Sequence, residues 1–256
     1  MKAEFFVFCD MKIKIAIVDE RIGHEAERTL MLHGYRVLTL PPFSGLSEAV
    51  SSHPDMLIKQ ICNEYISYAD YCEEASYVFS DLTLLCRGSG IKFTFTADKV
   101  APTYPSDVGL NALTMGNKLF CRIDSASELL LRSAEAHGLE IVNVKQGYPA
   151  CTVLKLNEEA AITSDKGMAK TLSEHGIRLT LIEAGDISLP PHEYGFIGGA
   201  GEVEGDKLFF FGNPELHRDG DKILEAARRE GLRTVPLCSG TLRDLGGIVF
   251  AEGDIN

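Results

Sequence analysis

One ten-residue phrase recurs along the chain. Residues 31–40 read MLHGYRVLTL, 135–144 EAHGLEIVNV, 173–182 SEHGIRLTLI and 228–237 RREGLRTVPL, with a fainter copy, LCRGSGIKFTF, at 85–95. Each copy has the same physical grammar. An apolar-periodic stretch ends at His or a charged residue, a Gly follows, and then comes a short apolar or alternating run. The Gly marks a helix end, where a residue without Cβ takes the left-handed conformation at no steric cost. His33, His137 and His175 fall in the last helical turn, where the helix dipole favours a cation. They read as capping residues rather than catalytic ones.

A strand precedes each helix: KIKIAIV at 12–18, KLFCRI at 118–123, AAIT at 160–163 and KLFFF at 207–211. In the second unit the strand falls near EYISYA, followed by a helix through 70–86. Helix starts are expected at Asp124 and Ser125, at Ser164 and Asp165, and at Asp219, all good N-cap or first-turn residues. Strand, helix, Gly, strand also fits a parallel βαβ protein. A further extended segment between units argues otherwise: DMLIKQI (55–61), VGLNALTMG (108–116), CTVLKLN (151–157), GGAGEVEG (198–205) and LGGIVFAEG (245–253). The ratio is near three strands per helix. Such a unit cannot bury its own sheet, so units must pack on one another. The capping glycines run from Gly34 to Gly231 with a spacing of roughly 49 residues, so five units fill the chain. Five similar units close most economically into a ring, which leaves few exposed strand edges.

The balance of 25 basic against 37 acidic residues, net charge -12, argues against a nucleic-acid partner, which needs a basic surface. No apolar run is long enough to span a bilayer. MKAEFFVFCD lacks a cleavage-type site, so no signal peptide is read; residues 1–10 are taken as an N-terminal extension before a second start at Met11. The seven cysteines are odd in number and include no CxxC pair, which excludes a disulfide framework and a zinc ribbon. Reduced thiols in the cytoplasm are expected, with Cys62, Cys72, Cys86, Cys121 and Cys238 in the core.

At this point the pattern resembles the pentein fold, the guanidino-group-modifying architecture of five ββαβ units around a pseudo-fivefold axis. Arginine deiminases, dimethylarginine hydrolases, amidinotransferases and a non-catalytic ribosome-associated factor share it. HPDMLIKQI resembles their early PD-x-x-F segment, which implies that Asp55 matches a substrate-binding Asp. SGTLRDLGGIVF resembles the Gly-rich strand that carries their nucleophilic Cys, and here the matching residue is Asp244. Their catalytic His has no counterpart in YGFIGGAGEVEG. The resemblance therefore implies a bacterial branch that lacks the usual Cys/His pair. The expected fold is α/β: one domain over residues 1–256, a five-bladed α/β propeller.

In a ring of units, corresponding strand ends face one axis. Cys151 and Asp244 each lie thirteen residues beyond their capping glycine, and Asp55 and Asp107 follow theirs after longer loops. These four are expected to converge as an acidic axial pocket. Carboxylates grip a planar guanidinium or amidinium in bidentate fashion, and crowded acids raise one another's pKa. Cys151 is the one candidate nucleophile and Asp244 a candidate catalytic acid or base, although neighbouring acids oppose a thiolate. His53, Asn111, Gln146 and His217 are candidate ligand contacts on the rim, each with a plain turn or loop role as the bland reading. GFIGGAGEVEG precedes a strand rather than opening a helix, so it reads as a close backbone approach and not as a dinucleotide loop. Two classes stay open. One is a protein that binds, and as a C–N hydrolase cleaves, a small cationic guanidino compound. The other is a non-catalytic binding or assembly factor. No cofactor or metal is implied, the partner is a small cationic ligand with neither nucleic acid nor membrane, and a homo-oligomer is allowed.

Overall fold

The recurring phrase builds five three-stranded sheets of one pattern. A computed structural model describes residues 11–255. The expected extension at residues 1–10, with Cys9, lies outside the described residues.

In chain order the elements are β1 (Met11–Asp19), α1 (His24–Leu32) and β2 (Tyr35–Leu40); then α2 (Pro54–Leu57), β3 (Ile58–Ile61), β4 (Glu64–Tyr68), α3 (Ala69–Glu74), α4 (Ser76–Leu85) and β5 (Lys92–Thr96). The third unit holds β6 (Leu113–Met115), β7 (Lys118–Cys121), α5 (Glu128–Ala136) and β8 (Glu140–Asn143). The fourth holds α6 (Pro149–Thr152), β9 (Val153–Lys155), β10 (Ala160–Thr163), α7 (Lys166–Glu174) and β11 (Arg178–Leu181), and β12 (Ile187–Ser188) follows. The last holds β13 (Gly201–Glu204), β14 (Lys207–Phe210), α8 (Gly220–Arg229) and β15 (Arg233–Pro236). The chain ends with β16 (Leu242–Arg243) and β17 (Val249–Ile255).

The sheets run β17-β1-β2, β3-β4-β5, β6-β7-β8, β9-β10-β11 and β13-β14-β15. In each, the middle strand pairs antiparallel with the first-named strand and parallel with the third. The parallel step is a helical crossover, as parallel neighbours require. One hydrogen bond repeats across four units. The residue entering the third strand donates its N–H to a turn carbonyl: Lys92 to Asn63, Glu140 to Asn117, Arg178 to Glu159 and Arg233 to Asp206. The chain's two ends meet in the first sheet, where β17 pairs along β1 from Met11↔Ile255 to Ile17↔Val249.

Helix ends follow the sequence reading. His33, His137 and His175 are C-cap residues, and the glycines after them have φ of 88°, 74° and 83°. Two of these imidazoles also pack edge-on against a phenylalanine of another unit, His33 on Phe209 and His175 on Phe120. Starts are less regular. Asp165 caps α7 by accepting the Met168 N–H, but the N-cap position of α5 is Ser127 rather than Asp124 or Ser125. The expected helix over 70–86 breaks at Ala75 into α3 and α4. Cys62 is exposed, not core; it sits in the β3–β4 turn with φ 52°. Gly116 and Gly205 hold the matching turn positions at φ 57° and 60°.

The first-named strands, β3, β6, β9, β13 and β17, have a common role. All five line a single open funnel of about 810 Å³. No helix among the described residues is long and apolar enough to cross a membrane.

Candidate functional site

Two short helical turns meet beneath the funnel. In α2 and α6 a proline occupies the first turn, where its missing N–H costs nothing. Both turns are tied to their sheets in the same way. Ser67 Oγ donates to the Leu57 carbonyl and Thr163 Oγ1 to the Thr152 carbonyl, each at 2.7 Å. With the pairings Ile58↔Ser67 and Val153↔Thr163, this aligns Asp55 with Ala150 and Met56 with Cys151. The count from the glycines is thus one position out for this pair. Asp55 and Cys151 are neighbours because the turns converge, not because they are equivalent.

Asn111 clamps the two turns together. Its amide nitrogen lies 3.2 Å from the Asp55 carbonyl and 3.0 Å from Cys151 Sγ, and its Oδ1 accepts the Ala150 N–H at 2.9 Å. From the far end of the chain, Gly246 O accepts the Asp55 N–H at 3.1 Å. β12 and β16 form a short parallel pair that sets Asp244, whose N–H donates to Ser188 O at 3.0 Å. The Asp244 carboxylate accepts the Phe196 N–H at 2.8 Å and the Gly246 N–H at 3.2 Å. The Gly-rich runs make room for this crowding. A Cβ on Gly199 would stand 1.9 Å from Asp244 Oδ1, and one on Gly246 would stand 2.5 Å from the His53 Cβ.

At the centre lies His53, buried, its ring ringed by three carboxylates. Nδ1 is 3.8 Å from Asp244 Oδ1 and 3.9 Å from Asp55 Oδ1, and Nε2 is 3.9 Å from Asp19 Oδ2. Asp19, at the end of β1, is gripped by Arg21 in a two-pronged pair of 2.9 and 2.5 Å. Both His53 nitrogens and both Asp55 oxygens are buried without a hydrogen-bond partner among the described residues.

Burial pushes the Asp55 carboxyl up to about 6; His53 pulls it down and Asp244 pushes it further up. Burial likewise raises Asp244, against His53 and the two backbone N–H groups. The Cys151 thiol is driven well above its ordinary value by burial first, then by Asp55 and Asp244. It is a protonated thiol at neutral pH, which is the wrong state for attack.

Of the residues singled out from sequence, Asp55, His53, Asn111, Cys151 and Asp244 come together here. Asp107 is adjacent but separate: it accepts the Tyr148 hydroxyl at 2.6 Å, and its Oδ1 is buried and unpartnered among the described residues. Gln146 donates to Asp165 at the α7 N-cap. His217 is buried near the start of α8, with Nδ1 accepting the Asp219 N–H at 3.0 Å. Neither lines the funnel; Asp55 alone of these eight does. Among the described residues no group of three or more His, Cys, Asp or Glu is placed to hold a metal ion.

Sequence reasoning missed Asp19, Lys59, Lys155 and Glu202. The last three line the funnel with Asp55. Burial lowers Lys59 to about 8, helped by Lys155, while Glu202 and Asp55 act the other way. Burial raises Glu202 to about 7, opposed by the Val203 N–H and by both lysines. The signal was present: MLIKQI and TVLKLN each carry one lysine inside an apolar strand.

A family model described as a family of unknown function (DUF6873) matches residues 17–249. The chain belongs to that family. No curated protein matches the chain. Solved structures do. A dimethylarginine dimethylaminohydrolase in an adduct with 4-chloro-2-hydroxymethylpyridine aligns at TM-score 0.55 and 11% identity, over 88% of this chain and 92% of its own. SxtG, an amidinotransferase of saxitoxin biosynthesis from Microseira wollei, aligns at 0.51 and 14% identity, over 83% and 72%. The C. jejuni agmatine deiminase aligns at 0.52 and 7% identity, over 88% and 91%. These are pentein-fold proteins, and this family member shares their fold.

Proposed function

We propose that the five sheets are blades of one α/β propeller closed around a pseudo-fivefold axis, and that the axial funnel binds a small cationic guanidino or amidino compound. The observation that carries this reading is Asp55: a buried carboxylate, both oxygens unpartnered among the described residues, on a residue that lines the funnel. An unpaired buried carboxylate is costly, and a planar cation offering two parallel N–H groups is its best complement. The reading requires the carboxylate to turn from His53 and Cys151 toward the ligand. The neighbours are an amidinotransferase, a dimethylarginine hydrolase and an agmatine deiminase by name, which supports the same ligand class.

Binding without covalent turnover is the form the chemistry favours. A nucleophilic route needs a thiolate at Cys151, and burial beside two acids opposes it. Cys151 and Asn111 instead fix the turn that carries Asp55. Six described cysteines are free, which fits a reducing, cytoplasmic setting.

The test is a thermal-shift panel of arginine, agmatine, citrulline and divalent metals on the full chain and on Asp55→Asn. Arginine and agmatine should raise the Tm of the parent protein, citrulline should not, and Asp55→Asn should respond to none. A ligand at a hundred times its Kd adds about 2.7 kcal/mol, easily seen. No response to either cation, or an equal response in Asp55→Asn, overturns the reading. Stabilisation by metal alone would mark a metal-dependent protein instead.

A further inference from the structure

Above Asp55 the funnel wall carries groups of the opposite sign. Lys59 on β3 and Lys155 on β9 come from different sheets and lean on the same third strand. Lys59 Nζ donates to Ala112 O at 2.7 Å and Lys155 Nζ to Thr114 O at 3.1 Å, two residues apart at β6. Lys155 also meets Glu158 at 2.6 Å. An ammonium has three N–H donors. Two therefore remain on Lys59 and one on Lys155 among the described partners. On the same strand, the Thr114 hydroxyl is buried and has no partner among the described residues, and Thr114 lines the funnel.

A purely structural role accounts for part of this, since lysines cover an exposed strand edge well. One N–H each would suffice for that. It does not explain why two ammonium groups are brought close enough to oppose each other's charge in a partly dry funnel, nor why the Thr114 hydroxyl is left free. Glu158 pairs with Lys155, whereas Glu202, a second acid of the funnel, spends Oε1 on the Val203 N–H and forms no ion pair with Lys59 among the described residues. Three spare N–H donors and a hydroxyl on one wall form the complement of an oxyanion.

We propose that Lys59, Lys155 and the Thr114 hydroxyl form an oxyanion subsite, so that the funnel takes a bipolar ligand whose cationic head lies at Asp55 and whose carboxylate or phosphate lies on the β6 wall. The cationic half of this statement rests on the reading given above; the anionic half does not. Anion binding favours charged ammonium, so occupancy takes up a proton at Lys59, which burial has brought to about 8. The groups facing Lys59 are Lys155, Glu202, Asp55 and Cys121.

The experiment is titration calorimetry on the full chain with butylguanidinium, with a series of ω-guanidino carboxylates of increasing length, and with inorganic phosphate and acetate alone. The best guanidino acid should bind at least ~10-fold tighter than butylguanidinium, a gap of about 1.4 kcal/mol. Lys59→Met and Lys155→Gln should each reduce that advantage below threefold while leaving butylguanidinium binding in place. Thr114→Val should reduce it less. In buffers of different ionisation enthalpy at pH 8.5, binding should take up a proton in the parent protein and not in Lys59→Met. Equal affinities in the parent protein, or an advantage that survives in both lysine variants, overturn the proposal. Should Lys59→Met fail to fold, Lys155, whose side chain is partly exposed, and Thr114 carry the same comparison. Should no guanidine bind, the cation reading fails alone. Phosphate and acetate then decide the subsite: saturable binding lost in the variants supports it, and none in the parent protein overturns it.

Discussion

Glu64 and Asp55 are both buried carboxylates, a few residues apart on either side of β3, and they are treated oppositely. Glu64 lies in the body of a sheet. It accepts Ser133 Oγ at 2.6 Å, Thr94 Oγ1 at 2.5 Å and Lys92 Nζ at 3.2 Å. Burial pushes its pKa up, but these donors more than offset that and hold it below the ordinary value. Asp55 lines the funnel, has only the Cys151 thiol and the His53 ring against it and no hydrogen bond of good geometry among the described residues, and rises to about 6. The sheet body spends hydrogen bonds to make a buried charge harmless. At the funnel the same chemical group is left without a good hydrogen bond, which is tolerable only where something else completes it. Strain of this kind collects at functional positions.

The sharpest way to break that contrast is to neutralise each acid in turn and follow urea unfolding. Glu64→Gln is expected to lose about 2–3 kcal/mol, because it strips a buried network of charge-assisted hydrogen bonds. Asp55→Asn should go the other way at pH 8. A carboxyl held at about 6 instead of 3.8 corresponds to about 3 kcal/mol of destabilisation once ionised. At pH 5 about half of that difference should remain, and it should vanish only below pH 4. Equal losses from both substitutions would mean that Asp55 is as well paired as Glu64.

A pH series sharpens the same point without mutation. Asp55 and Glu202 both have folded-state values raised, to about 6 and about 7. Groups raised in this way favour the fold below their unfolded values of roughly 4, and that contribution is lost as pH climbs through the folded values. Tm should therefore fall between pH 5 and pH 8, and Asp55→Asn with Glu202→Gln should flatten the slope. Guanidinium binding needs ionised Asp55, so affinity should weaken as pH drops below about 6. A Tm that rises over the same window would contradict the assignment.

Thiol chemistry gives a smaller, kinetic effect. Cys151 should react with an amidine-type alkylator at least ~10-fold more slowly than free cysteine at pH 8, given its raised pKa and burial. Reaction as fast as free cysteine, traced to Cys151 by peptide mapping, would return nucleophilic catalysis to contention. The smallest expected change lies in the β3–β4 turn. Cys62 takes a left-handed turn position that glycine fills in two other units, so Cys62→Gly should gain about 0.5–1 kcal/mol in the same unfolding assay.

Much of the architecture could be read because it is written locally and five times over. Helix C-caps need glycine, β strands need apolar alternation, and repetition raised each weak signal above chance; AAIT at 160–163 is strand from its first residue to its last. Where local signals competed, the reading slipped. DMLIKQI and CTVLKLN read as extended, yet each starts with a helical turn because Pro54 and Pro149 are pre-set for one. For the site, the sequence singled out Asp55, Cys151, Asp244, His53 and Asn111 but gave Gln146 and His217 equal standing. Nothing in a loop residue's type says whether it faces the buried cluster around His53 or an adjacent N-cap.

The chain by itself determined its repeating unit, its strand and helix order and its excess of acid, since those depend on residues near one another in sequence. Only the tertiary structure decided which charges meet. Lys59, Lys155 and Glu202 look like ordinary strand residues until three sheets bring them to one wall, and the one-residue offset between Asp55 and Cys151 emerges only from sheet register. Electrostatics falls off over a few ångströms of space and takes no account of distance along the chain, so contacts between residues a hundred positions apart are settled by packing alone.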